Sequence, residues 1–131
     1  MNLGYRIRQL RKENNLTQEK FGKLFNIAKN TVSQYENGIS TPDIQTQKKI
    51  CEYFNISLDW LHGRTNIRNE ETVQNIKNAI DDNPELLELW NRLVQREDLQ
   101  YMFEQTKRLT PESIRKIIEV IKLIEDEESQ E

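Results

Sequence analysis

From Leu3 to Gly38 the apolar residues recur at three- and four-residue spacing, in three segments that are each short and each closed by a residue suited to ending a helix. Leu3, Ile7 and Leu10 form the first stripe, and Asn14-Asn15 ends it. Thr17 can cap a second helix, about Gln18 to Phe25, whose apolar face is Phe21, Leu24 and Phe25. The turn at Asn26-Ile27 is tight, and asparagine tolerates the left-handed backbone that such a turn demands. Gly22 costs a helix up to about 1 kcal/mol relative to alanine, which makes sense where another helix comes close to the bare backbone. The third segment, about Lys29 to Asn37, turns Val32 and Tyr35 inward and stops at Gly38.

The same grammar continues. Thr41-Pro42 opens a fourth helix, with Thr as cap and Pro at the first position, running to about Phe54. Ser57 caps a fifth, Leu58 to His62, ended by Gly63. The expected core of this part is Leu10, Phe21, Leu24, Val32, Ile44, Phe54, Leu58 and Leu61, with Cys51 a small buried side chain. Gln47 shares a face with Ile44, Cys51 and Phe54, so it must be partly exposed or hydrogen-bonded. Residues 64–69 read as a linker. No glycine follows Gly63. A helix from about Glu70 to Ile80 precedes Asn83-Pro84, which starts another carrying Leu86, Leu87, Leu89, Trp90, Leu93 and Val94. Leu99, Tyr101, Met102 and Phe103 fall on an eighth helix, and Thr110-Pro111 starts the last, to about Glu128. The class is all-α.

Charge divides the chain. Net charge is −3, but residues 1–66 carry 10 Lys/Arg against 6 Asp/Glu, and residues 67–131 carry 9 against 16. The first half can face phosphates and the second is repelled by them. A single cysteine excludes an internal disulfide, and no apolar run approaches the length of a membrane span, so a soluble, cytoplasmic protein is expected. No nucleophile–base pair or ligand cluster stands out, so neither an enzyme nor a cofactor or metal site is expected.

Two short helices about a tight turn, the second polar and stopped by glycine, is a helix-turn-helix arrangement, whose second helix enters the major groove. A merely solvated helix would carry Glu and Lys. This one carries Asn30 and Gln34 four residues apart on one face, with Lys29 beside them. Asn and Gln pair bidentately with adenine, and Lys donates to guanine.

Ile7 to Arg64 resembles the phage repressor/Cro family, also called xenobiotic-response-element-type regulators. The marks are Leu10-Arg11, Leu16-Thr17-Gln18, Thr31-Val32-Ser33, Tyr35-Glu36-Asn37-Gly38, Pro42 and Ile56-Ser57-Leu58-Asp59-Trp60-Leu61. The resemblance implies a five-helix, lambda-repressor-like domain acting as a transcriptional repressor on double-stranded operator DNA. It implies that Lys29, Asn30, Ser33 and Gln34 face the groove. Gln18 would contact a phosphate or the first base, and Asn37, Ser40 and Thr41 would touch phosphates. Arg11 and Glu36 match an ion pair tying the first helix to the third. Two positions depart from the family pattern: Ala28 stands where a Ser or Thr cap is usual, and Gln47 where an apolar residue is usual.

The organisation expected is residues 1–66 for DNA binding, 67–83 as linker and connecting helix, and 84–131 as a helical oligomerisation or regulatory segment. The last helix carries Ile114, Ile117, Ile118, Ile121 and Ile124 along one face, widened by Val120 and Leu123. That stripe either closes an intramolecular bundle or pairs with a second subunit. Pairing is the expectation, because helix-turn-helix proteins bind DNA as symmetric dimers. The segment 84–128 is similar to tails of repressors from Gram-positive phages and integrated mobile elements. An antirepressor, a toxin or a regulatory protease are the further partners such a tail could take. The alternative function is an antitoxin that controls its own operon. The acidic end, Glu125 to Glu131, is expected to fray, since negative charge is unfavourable at a helix C-terminus.

Overall fold

The computed structural model describes residues 2–105 and 110–129, and among these the regular structure is entirely helical. It divides into two compact units, Met1–Thr65 and Asn66–Glu131.

The first unit contains α1 (Leu3–Glu13), α2 (Gln18–Phe25), α3 (Lys29–Glu36), α4 (Ile44–Phe54) and the single turn α5 (Leu58–Leu61). Side-chain caps explain most of the starts. Asn2, Thr17, Asp43 and Ser57 each accept a hydrogen bond from the backbone N–H three residues on, satisfying a donor the helix leaves open. The fourth helix therefore begins later than Thr41-Pro42 suggested. Asp43 is the cap, its Oδ1 taking the Thr46 N–H at 2.8 Å, and Thr41 lies in the preceding loop. Asn15, Asn26 and Asn55 adopt left-handed backbone at the turns, the role asparagine fills at least cost among residues with a side chain.

The core of this unit is Ile7, Leu10, Phe21, Val32, Ile50, Cys51, Ile56, Trp60 and Leu61, with Phe25, Phe54 and Leu58 packed against it. Phe21 and Phe54 stack with ring centroids 5.9 Å apart. Two expected core residues are corrected: Leu24 is 39% and Ile44 50% exposed. On the two-turn helix α2, Phe21 and Phe25 take the inward direction, and Leu24 is left beside the exposed Tyr53. Ile44 starts α4 one turn beyond the buried Gln47, Ile50 and Cys51. Gln47 is buried and satisfied at both ends of its amide. Its Nε2 donates to Pro42 O at 2.9 Å, and its Oε1 lies 2.7 Å from His62 Nε2. Burial pushes the Cys51 thiol up to about 11.

The second unit contains α6 (Glu70–Ile80), α7 (Pro84–Leu93), α8 (Glu97–Gln105) and α9 (Pro111–Ser129). Asn69 and Asn83 cap α6 and α7, each accepting from two backbone N–H groups. Its core is Val73, Ile76, Ile80, Leu86, Leu89, Trp90, Phe103 and Ile118, with Trp90 and Phe103 edge to face at 5.6 Å. The helix expected as a connector, α6, supplies three of these residues.

Residues 66–69 are part of this unit too. The Arg68 N–H donates to Gln100 Oε1 at 2.8 Å, and Gln100 Nε2 donates to the carbonyls of Asn66 and Val94. Arg68 is 2% exposed, over the Tyr101 ring and 3.7 Å from Glu104. One buried amide thus ties the entering chain to α8. Helix α9 continues to Ser129 through the segment expected to fray, and Gln130 and Glu131 lie outside the described residues.

Candidate nucleic-acid interface

The turn between α2 and α3 sets the geometry of the site. Asn26 has φ 57° and ψ 47°, and the Ile27 N–H closes onto Gly22 O at 2.8 Å. A Cβ on Gly22 would overlap the Ile27 carbonyl, so the turn can fold back this tightly only over glycine. What approaches Gly22 is the turn backbone itself, with Val32 beyond it.

Helix α3 begins without a side-chain cap, because Ala28 has no oxygen to offer, and ends at Gly38, whose left-handed φ of +73° favours glycine. The Ile39 N–H returns to Gln34 O at 2.9 Å. Val32 points into the core, and Lys29, Asn30 and Gln34 are exposed, with Ser33 half-buried between them. Asn37 and Thr41 are exposed and Ser40 is half-buried. Gln18 is the first residue of α2 and half-buried. Within this row, Ser40 Oγ donates to Gln34 Oε1 and Asn37 Nδ2 to Ser33 Oγ, each at 3.4 Å. All four residues expected to read bases thus lie on α3; of the four expected at phosphates, Asn37, Ser40 and Thr41 follow α3 and Gln18 opens α2.

Glu36 anchors that row to α1. Its side chain is fully buried, and Arg11 meets it through two N–H groups, Nε to Oε2 at 2.9 Å and Nη2 to Oε1 at 3.0 Å. Arg11 Nη1 also donates to Leu16 O, which fixes the approach to α2. Burial alone would raise the Glu36 carboxyl, but hydrogen bonds and charge from Arg11 and Arg8 outweigh it and hold it below the ordinary carboxylate value. They also offset the unfavourable position of an anion at a helix C-terminus.

Three contributors were missed in the sequence. Arg8 donates to Glu36 Oε1 at 3.1 Å and, through Nη2, to Asn37 Oδ1 at 3.2 Å, so it carries the buried pair outward to the exposed row. Its spacing, three residues before Arg11 on one face of α1, was the available signal. Gly4 lets α1 lie against the end of α3, where an added Cβ would run into the carbonyls of Tyr35 and Glu36. Arg6, fully buried, stacks its guanidinium 4.2 Å above Trp60. Nothing in the sequence marked it off from the basic residues around it.

The five residues expected on the assembly face of α9 are divided by the structure. Ile118 is fully buried, and Ile114, Ile117 and Ile121 pack against the second unit's own core. Ile124 alone of the five is more exposed than buried, at 51%. The stripe is largely consumed inside the unit, against α6 and α7. Among the described residues no group of three or more His, Cys, Asp or Glu is placed to hold a metal ion, and no helix is long and apolar enough to cross a membrane.

Residues 7–61 match the helix-turn-helix family model, and this part of the chain is a helix-turn-helix domain of the Cro/C1 type. Over 121 residues, 92% of this chain and 94% of the relative, the sequence is 26% identical to the HTH-type transcriptional regulator ImmR of Bacillus subtilis (strain 168). It is 40% identical over 55 residues to the antitoxin PezA of Streptococcus pneumoniae serotype 4, a match spanning 42% of this chain and 35% of PezA. It is 30% identical over 61 residues to the HTH-type transcriptional activator BcrR of Enterococcus faecalis, spanning 47% of this chain and 30% of BcrR. No solved structure matches the chain significantly.

Proposed function

We propose that this protein is a transcriptional repressor of the phage or mobile-element type, which occupies operator DNA with its first unit and assembles through its second. The observation that carries the reading is the row of exposed polar side chains on α3, held at a fixed angle by a buried carboxylate that two α1 arginines clamp. In this reading Lys29, Asn30, Ser33 and Gln34 meet base edges in the major groove, while Gln18, Asn37, Ser40 and Thr41 position the domain on phosphates. The extent of similarity favours a regulator. The likeness to ImmR runs through both units, whereas the matches to PezA and BcrR are no longer than one of them.

The antitoxin reading stands second, on the 40% identity to PezA. Selection of duplexes from a random library, followed by a reporter driven by the protein's own upstream DNA, separates the cases. A repressor selects one near-palindromic sequence and silences the reporter alone. An antitoxin co-purifies with a toxin encoded beside it. A reporter switched on by the protein would make it an activator.

A further inference from the structure

With Ile118 and its neighbours turned inward, α9 keeps a second apolar ridge that the described residues of its own unit leave exposed. Val120 is 53%, Leu123 64% and Ile124 51% exposed, contiguous at helical spacing. At 3.6 residues per turn, Lys116, Val120, Leu123, Ile124 and Glu127 fall within an arc of about 100° on the side away from the unit's core. Lys116 and Glu127 are exposed at the two ends of the ridge, Lys116 reaching Glu112 one turn back at 3.6 Å.

We infer that this ridge is where two copies of the chain meet, with the two α9 helices antiparallel. Four of the five positions form a pattern that is its own complement, with Ile124 flanking it. The midpoint between Val120 and Leu123 is also the midpoint between Lys116 and Glu127. A two-fold axis passing there sets Val120 of each copy on Leu123 of the other, and Lys116 on Glu127. The opposite orientation stacks Lys116 on Lys116 and brings together two acidic ends, each with Asp126, Glu127 and Glu128. Antiparallel pairing also opposes the two helix dipoles. The occupant is a second copy because a self-complementary face is what a two-fold interface requires. The inference deepens the assembly part of the proposed function and replaces the buried isoleucine face with this one.

The test is sedimentation of the full chain without DNA, so its outcome is read separately from any failure to bind an operator. The wild type should be a dimer. Leu123→Asp places an unpaired charge at the centre and should raise the dimer dissociation constant at least about 100-fold. Val120→Glu should do the same, and both should keep the wild-type helical spectrum because the positions are exposed. Lys116→Glu or Glu127→Lys alone should weaken the dimer roughly three- to ten-fold, and the double exchange should restore it. A monomeric wild type overturns both the assembly reading and this face. A dimer indifferent to Leu123→Asp and Val120→Glu puts the interface elsewhere. A dimer broken by those changes but not rescued by the double exchange overturns the antiparallel register.

Discussion

In the first unit the buried carboxylate of Glu36 is gripped by Arg11 at 2.9 Å and Arg8 at 3.1 Å, and the Arg8 side chain is 43% exposed. In the second, Arg68 and Glu104 are both sealed, at 3% and 6% side-chain exposure, and stand 3.7 Å apart. Both sites bury a glutamate against arginine, two arginines in the first and one in the second, and they serve different ends. The first is a hub, linking α1 to α3, to the chain before α2 and, through Arg8 and Asn37, to the surface. The second, beside Gln100, fixes where the chain enters its unit and stays away from solvent. A buried pair adds little over well-packed apolar residues, yet removing one partner is costly because it strands the other charge. What distinguishes the two sites is where the polar contacts lead.

The largest expected effect comes from breaking each pair in turn. Glu36→Gln should cost the first unit about 3 kcal/mol, and Glu104→Gln should act on the second. Trp60 is in the first core and Trp90 in the second, so each unit has its own fluorescence probe. Among the described residues Trp90 Nε1 has no hydrogen-bond partner, so Trp90→Phe isolates the Trp60 signal at little cost in polar contacts. Denaturant titrations should show each Gln variant shifting the transition of its own tryptophan. If either variant shifts both equally, the two sites are not separate devices.

Next come the exposed residues of α3. Asn30→Ala and Gln34→Ala should each lose about 1–3 kcal/mol on the selected duplex and far less on random DNA. Equal losses on both, in a gel-shift titration, would make them phosphate contacts. Arg8→Ala should do less. With Arg11 still on Glu36, stability should fall by under about 1 kcal/mol, whereas DNA affinity should fall and couple to Asn37→Ala in a double-mutant cycle. Additive losses would mean that Arg8 and Asn37 act independently.

The smallest effect is on pH dependence. Glu36 titrates lower in the folded protein than in the unfolded chain. Its contribution is fully present above the ordinary carboxylate range and is lost as pH falls through the lowered folded value. Stability of the first unit, followed by Trp60 from neutral to acid pH, should fall less steeply in Glu36→Gln than in the wild type.

Much of the first unit was legible because local chemistry dictates it. Thr17, Ser57 and the left-handed Asn26 act as short-range rules require, and the Arg11–Glu36 contact follows from the resemblance. What was not legible depended on tertiary placement. Asp43 and Thr41 are both competent caps, and only the path of the loop selects Asp43. Leu24 and Ile44 have the right periodicity, but two-turn and terminal positions leave their direction to the neighbours. Gly4 is a close-approach glycine whose partner, the end of α3 at Tyr35 and Glu36, is far away in the sequence. In the second unit the isoleucine stripe was visible and its partner was not. Periodicity marks an apolar face without saying whether α6 and α7 or another chain will cover it.

The proposed function stands or falls with the α3 row reading DNA sequence. Its most direct test is the affinity of the full chain for its selected duplex and for a scrambled duplex, across a range of salt. The selected duplex should bind at least about 1,000-fold more tightly, with half-sites about one helical turn apart or a multiple of that, and affinity should fall steeply as salt rises. Equal affinity for the two duplexes, or binding indifferent to salt, would contradict it.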